Sequence, residues 1–213
     1  MNVQEATTRR LPDLKERHLP ENCRETINTI LKETYGYEQF RNLEIYDDLS
    51  KGKEKLCISQ GQLIENVILE AEKAWKGETQ VDNILLTAPT GSGKSLLFQL
   101  PAIYLGKEYN LLTIVVSPLK ALIVDQVESL QELGYMRVAY ASSDLSPEQK
   151  MEVYRQVREG EIDLFYLSPE LLLSYDIKHF VGERRIGLVV VDEAHTVTTL
   201  SLIHISEPTR HLR

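Results

Sequence analysis

Ile84-Leu85-Leu86-Thr87-Ala88-Pro89-Thr90-Gly91-Ser92-Gly93-Lys94-Ser95 is a short apolar run that breaks into a glycine-rich turn, and the chain from Ser95 to Leu105 reads as a helix. A strand, a glycine loop ending in Lys-Ser and a helix, in that order, form the context of a phosphate-binding loop. Glycines let backbone N–H groups approach phosphate oxygens with no side chain between, and a helix N-terminus adds partial positive charge. In this reading Thr90, Gly91, Ser92, Gly93, Lys94 and Ser95 hold a nucleotide such as ATP. Lys94 reaches the β and γ phosphates, and the Ser95 hydroxyl binds Mg²⁺. The common form of the loop begins with glycine, and here Ala88 takes that position.

Strand and helix patterns alternate from this loop onward. Leu112–Val116, Arg137–Ala141, Asp163–Leu167 and Leu188–Val191 have strand length and are largely apolar, and the run Ile84–Ala88 precedes them. Between them, Leu119–Leu133 and the stretch from Pro147 to Arg158 read as helices, with Pro147 at a favoured first position. Apolar strands alternating with helices predict a parallel sheet covered on both faces, hence an α/β domain. Upstream, Ile27, Ile30 and Leu31 share one helix face, and Gly36 is placed to end that helix. Gln60–Trp75 predicts a second helix, and the charged stretch Asp47–Lys55 a loop.

Asp192-Glu193-Ala194-His195 follows the last apolar strand. The C-terminal edge of an α/β sheet is where ligands bind, which places both carboxylates on the functional side. Asp192 is the candidate for holding Mg²⁺, Glu193 for orienting and deprotonating an attacking water, and His195 for sensing the γ-phosphate.

The 213 residues suffice for one α/β domain plus an extension, and the net charge of −8 provides no basic bulk. Cys23 and Cys57 form no paired motif, which fits a reduced, cytoplasmic protein. No signal sequence opens the chain, and no apolar run approaches the roughly 20 residues needed to span a bilayer.

The phosphate loop and Asp192-Glu193-Ala194-His195 together resemble the superfamily 2 helicases, and the match extends between them. Ser117-Pro118-Leu119-Lys120 is similar to that family's motif Ia, and Leu167-Ser168-Pro169-Glu170 to its motif Ib. The resemblance implies that Ser117, Pro118, Lys120, Ser168 and Pro169 face the nucleic-acid backbone, where small hydroxyls and backbone N–H groups bind phosphate without reading sequence. Lys94-Ser95-Leu96-Leu97-Phe98-Gln99-Leu100-Pro101 most resembles the RecQ DNA helicases. Ser59-Gln60-Gly61-Gln62 resembles the RecQ motif 0, which implies that Gln62 reads the adenine edge.

The implied fold is a RecA-like P-loop NTPase domain, with a central parallel sheet over residues 56–199 and a partly helical extension over 1–55. The implied activity of the complete protein is ATP-dependent, 3′-to-5′ DNA translocation and unwinding, with ATP, Mg²⁺ and DNA as partners. A superfamily 2 RNA helicase, a double-strand DNA translocase of a defence complex, and an ATP-binding module without turnover are the alternatives. Residues 200–213 lack the aromatic loop that RecQ proteins carry after this motif and resemble a translated adapter sequence. They are therefore expected to be non-native, and the chain is expected to be a truncated motor, inactive alone.

Overall fold

The computed structural model describes residues 19–46, 55–84, 86 and 91–193. They fall into two compact units, residues 1–101 and 102–213.

In the first unit, helix α1 (Glu25–Tyr35) buries Ile27, Ile30 and Leu31 on one face and ends at Gly36, whose φ of 69° is left-handed. Each such side chain contributes about 1.5–3 kcal/mol when fully buried. Strands β1 (Asn42–Tyr46) and β2 (Lys55–Ser59) form an antiparallel pair with Asn42 opposite Ser59. Helix α2 (Gln60–Lys76) starts directly at the end of β2 and buries Leu63, Ile64, Ile68 and Ala71. The guanidinium of Arg24 ties the start of α1 to α2, with bonds of 2.6 Å to Glu65 and 2.7 Å to Glu72. Burial works against the Arg24 charge, but the bonds to Glu72 and Glu65 prevail and hold its pKa well above the ordinary value.

Helix α3 (Leu96–Tyr109) follows the glycine loop and crosses the division between the units. The second unit then runs β3 (Leu112–Val116), α4 (Lys120–Glu132), β4 (Val138–Ala141), α5 (Pro147–Arg158), β5 (Leu164–Leu167), α6 (Pro169–Ser174), α7 (Ile177–Val181) and β6 (Ile186–Val191). The sheet order is β4-β5-β3-β6 and every pairing is parallel. Right-handed crossovers place α4 on one face and α5, α6 and α7 on the other. The core on that second face joins Ile114, Val116, Phe165 and Leu167 of the strands to Tyr154, Val157, Leu171 and Phe180 of the helices. The alternate residues Val115, Leu164 and Tyr166 are also buried, so β3 and β5 are covered on both faces as their apolar runs predict, whereas the edge strand β6 leaves Val189 and Val191 exposed.

Two expectations change here. Ile84 and Leu86 belong to no strand, and Ile84 is exposed; Leu85, Thr87 and Ala88 of the run lie outside the described residues. The pattern alone could not supply the paired edge that a strand requires. Conversely, the region before the second helix contains the β1–β2 pair, whereas only a charged loop was expected there; residues 47–54 of that loop lie outside the described residues.

Candidate functional site

The glycine loop enters α3 through a tight first turn. Leu96 N–H bonds to the Gly93 carbonyl at 3.2 Å, Leu97 N–H to Lys94 at 3.0 Å, and Gln99 N–H to Ser95 at 2.9 Å. Gly91 and Gly93 have φ values of 81° and 77°, a conformation that costs side-chain-bearing residues about 1–2 kcal/mol. At Gly93 a Cβ would lie 2.7 Å from the Gln60 amide nitrogen and would displace that amide from its bond to Ser92. The Ser92 hydroxyl is buried without a partner, an unmet polar atom within a loop whose residue types suit phosphate. Lys94 and Ser95 are half-buried at the mouth of the helix.

Gln60 fixes this loop from behind. It is 2% exposed. Its amide oxygen accepts from Arg41 N–H at 3.2 Å, and its amide nitrogen donates to the Ser92 carbonyl at 3.1 Å. Its own N–H bonds to the Arg41 carbonyl at 2.9 Å, one step beyond the β1–β2 ladder. A cleft of about 220 Å³ opens beside the loop, lined by Tyr35, Tyr37, Arg41, Gln60, Ser95 and Gln99 among others. The rings of Tyr35 and Tyr37 stack at 6.3 Å and 18°, and the Tyr35 hydroxyl donates to Gln99 at 2.9 Å. A planar, polar-edged group beside a phosphate chain suits such a cleft.

In the second unit, Ser117, Ser168 and Asp192 immediately follow β3, β5 and β6, three neighbouring strands at one sheet edge. Ser117 N–H bonds to the Leu167 carbonyl at 3.1 Å and Asp192 N–H to the Val116 carbonyl at 2.9 Å, so each continues the ladder by one residue. The chain leaves β3 toward one face and β5 toward the other, which makes this edge a topological switch point. The Asp192 carboxylate accepts from Glu193 N–H at 2.9 Å. Glu193 has a φ of 53°, left-handed without being glycine. Both carboxylates are half-buried.

The family model described as DEAD/DEAH box helicase matches residues 62–212. The chain belongs to the DEAD/DEAH box helicase family. It is 34% identical to ATP-dependent DNA helicase Q-like 5 of Arabidopsis thaliana over 83% of this chain and 16% of that protein. It is 33% identical to ATP-dependent DNA helicase RecQ of Synechocystis sp. over 81% of this chain and 30% of that protein. The chain thus spans less than a third of the length of these curated relatives. Among solved structures, the DUF1998 helicase MrfA bound to DNA and AMPPNP aligns with a TM-score of 0.50 and 22% identity, over 84% of this chain and 22% of that one. That likeness concerns the fold, an α/β RecA-like helicase domain.

Within this helicase domain several expected site residues fall in other roles. Gln62 does not line the cleft. Its amide oxygen accepts from Ser59 N–H at 3.1 Å and its amide nitrogen donates to the Pro20 carbonyl at 3.1 Å, closing the capping box of α2. The hydroxyls of Ser117 and Ser168 are not exposed as expected: the residues are 2% and 0% exposed and their hydroxyl oxygens have no partner. Pro169 is buried as well, and Pro118 is half-buried. Lys120 is accessible but tethered, 2.6 Å from the Ser143 hydroxyl and 2.9 Å from Asp144. Thr90 and His195 lie outside the described residues. Tyr35, Tyr37, Arg41 and Gln60 were not anticipated. The signal was present in Tyr35-Gly36-Tyr37 and Phe40-Arg41, but an intervening hairpin hides the pairing of Arg41 with Gln60.

Proposed function

We propose that this domain binds Mg²⁺-ATP as the first motor domain of a DNA helicase that translocates 3′ to 5′. The observation that carries the reading is the loop Gly91–Ser95, whose glycines adopt left-handed φ values at the start of α3 while Gln60 holds its backbone beside an aromatic-flanked cleft. In this reading the adenine occupies that cleft against Tyr37 and Arg41, a role that passes from Gln62 to its neighbours. Lys94 takes the β and γ phosphates, with Thr90 at the start of the loop.

The residue types suit a magnesium ion held largely by phosphate and water. Among the described residues no group of three acidic, histidine or cysteine side chains forms an all-protein cage. Ser95 and Asp192 are the residues that would hold the ion, which when bound offsets phosphate charge. Glu193 orients the attacking water and takes its proton, and His195 senses the γ-phosphate. These roles follow from residue type and from position at strand and helix ends. Nucleic acid passes over the sheet edge, with Ser117, Pro118, Ser168 and Pro169 contributing backbone groups and Lys120 a charge. Unwinding belongs to the complete protein, because coupling requires a second domain, and this chain alone is proposed to hydrolyse ATP near background. Among the described residues no helix is long and apolar enough to cross a membrane.

The test is Mg²⁺-ATP binding by this chain, titrated calorimetrically beside Lys94→Ala. Loss of about a hundredfold in the variant supports the loop assignment, and equal affinity in both proteins removes it.

A further inference from the structure

We propose that the groove between α5 and the α6–α7 segment is a binding site for single-stranded nucleic acid, with a base stacked on Tyr175 and backbone phosphates held by Lys150 and Arg158. The proposal rests on the reading of the chain as a nucleic-acid motor and adds to it a contact that its motif residues do not contain.

The groove encloses about 380 Å³ wholly within the second unit. Lys150, Tyr154 and Arg158 stand four residues apart on α5 and so form one stripe, about 12 Å long at 1.5 Å per residue. Leu171, Tyr175 and His179 line it from the α6–α7 side. Tyr175 stacks on His179 with centroids 4.7 Å apart and planes at 15°, and it meets Phe180 edge-on at 6.0 Å. Its plane is therefore fixed, yet the residue is 51% exposed. A fixed and half-open aromatic ring is what a nucleobase stacks on without reading sequence.

The charge is one-sided. No carboxylate lines the groove, on a chain whose net charge is −8. The acidic groups close to it in sequence have partners of their own: Asp144, whose charge also acts on Lys150, pairs with Lys120 at 2.9 Å, Glu148 accepts from the Ser146 hydroxyl, Glu152 from Arg155, and Asp176 caps α7 through Lys178 N–H. Lys150 donates to the Ser143 carbonyl at 3.3 Å and Arg158 donates one bond to the His179 carbonyl, and both keep donors to distribute, since an ammonium has three and a guanidinium five. The position also fits. Helix α5 follows the C-terminal end of β4, and α6 follows Ser168 at the end of β5, so the groove leads away from the sheet edge to which the phosphate path is assigned. Two cations on one line beside a fixed ring favour a polyanion with planar bases over an acidic peptide.

The experiment is anisotropy of a fluorescein-labelled oligothymidylate with the full chain, Tyr175→Ala, Tyr175→Phe and Lys150→Gln, each checked for an unchanged melting curve. Tyr175→Ala is expected to weaken binding about tenfold and Tyr175→Phe to restore it. Lys150→Gln should reduce the slope of log affinity against log salt by about 0.7. Photo-crosslinking with 5-iodouracil in the same oligonucleotide should label the peptide containing Tyr175. No binding by the unmodified chain would overturn the nucleic-acid reading as a whole. Binding that neither Tyr175→Ala nor Lys150→Gln alters would overturn the groove alone. An acidic peptide ending in phenylalanine that binds in a Tyr175-dependent way, and that oligothymidylate does not displace, would assign the groove to a protein partner and overturn the proposal.

Discussion

The side-chain amide of Gln60 donates to the backbone carbonyl of Ser92 at 3.1 Å, across 32 positions of sequence. The same amide accepts from Arg41 N–H. Ser92 is thereby tied to the chain that lines the adjacent cleft. Gln60→Ala removes both bonds, each worth about 0.5–1.5 kcal/mol net. The expected result is Mg²⁺-ATP affinity about tenfold lower by calorimetry. Gln60→Glu should be at least as damaging, since a carboxylate cannot donate to Ser92 and adds negative charge beside the phosphates. Unchanged affinity in Gln60→Ala would mean that the loop holds its shape unaided.

Glu193 separates a structural role from a chemical one. Its left-handed φ costs about 1–2 kcal/mol for a residue with a Cβ, a cost that a residue of purely structural use would shed as glycine. Glu193→Gly is expected to raise stability toward urea by about 1 kcal/mol and to abolish hydrolysis in the complete protein. Glu193→Gln should retain ATP binding and lose turnover. Turnover in either variant at the unmodified rate would take the water-activating role from this carboxylate.

How much could be read from residues alone follows the locality of the signal. The phosphate loop, the strands Leu112–Val116 and Leu164–Leu167, and the helix opened by Pro147 depend on neighbours within one turn or one strand, and the periodicity shows them. Gln60 and Arg41 do not. They are joined only because β1 and β2 pair in a register that sets Asn42 against Ser59, and no spacing rule survives an inserted hairpin. The place of Gln62 has the same origin, since a capping box built from Ser59 and Gln62 sets the first residue of α2, not the third, against the loop. Ser117 and Ser168 were legible as strand ends, but their burial depends on what packs over them.

Asp163 is the charged centre of the second unit. It is fully buried and accepts from Arg137 at 2.6 and 2.8 Å, from Arg184 at 3.0 Å and from the Tyr135 hydroxyl at 3.1 Å. The two arginines respond oppositely: the bond to Asp163 raises the Arg137 pKa, whereas burial dominates at Arg184 and lowers it. Removing the carboxylate strands the more deeply buried Arg184. Asp163→Ala is therefore expected to cost about 3–5 kcal/mol in urea unfolding, and the double variant Asp163→Ala with Arg184→Met to recover part of that. A loss below about 1 kcal/mol would show that solvent reaches Arg184 in place of the carboxylate.

The two thiols should separate by pH. Burial pushes the Cys23 thiol up from 9.0 to about 12, and the Glu65 carboxylate, 3.8 Å from its sulfur, adds to the shift. Cys57 is exposed. Iodoacetamide at pH 8 should alkylate Cys57 and spare Cys23 until the chain unfolds, as peptide mass mapping would show. The sign of the linkage follows from the raised value. Below pH 9 the thiol is protonated in both states and its contribution to stability is fully present. Between pH 9 and about 12 only the unfolded chain releases the proton, so stability falls as pH rises. Cys23→Ser should flatten that alkaline decline in urea midpoints measured from pH 8 to 11. An equal decline in both proteins would place its source in other groups, and alkylation of Cys23 as fast as Cys57 in the folded protein would show that the α1–α2 contact around Glu65 opens readily in solution.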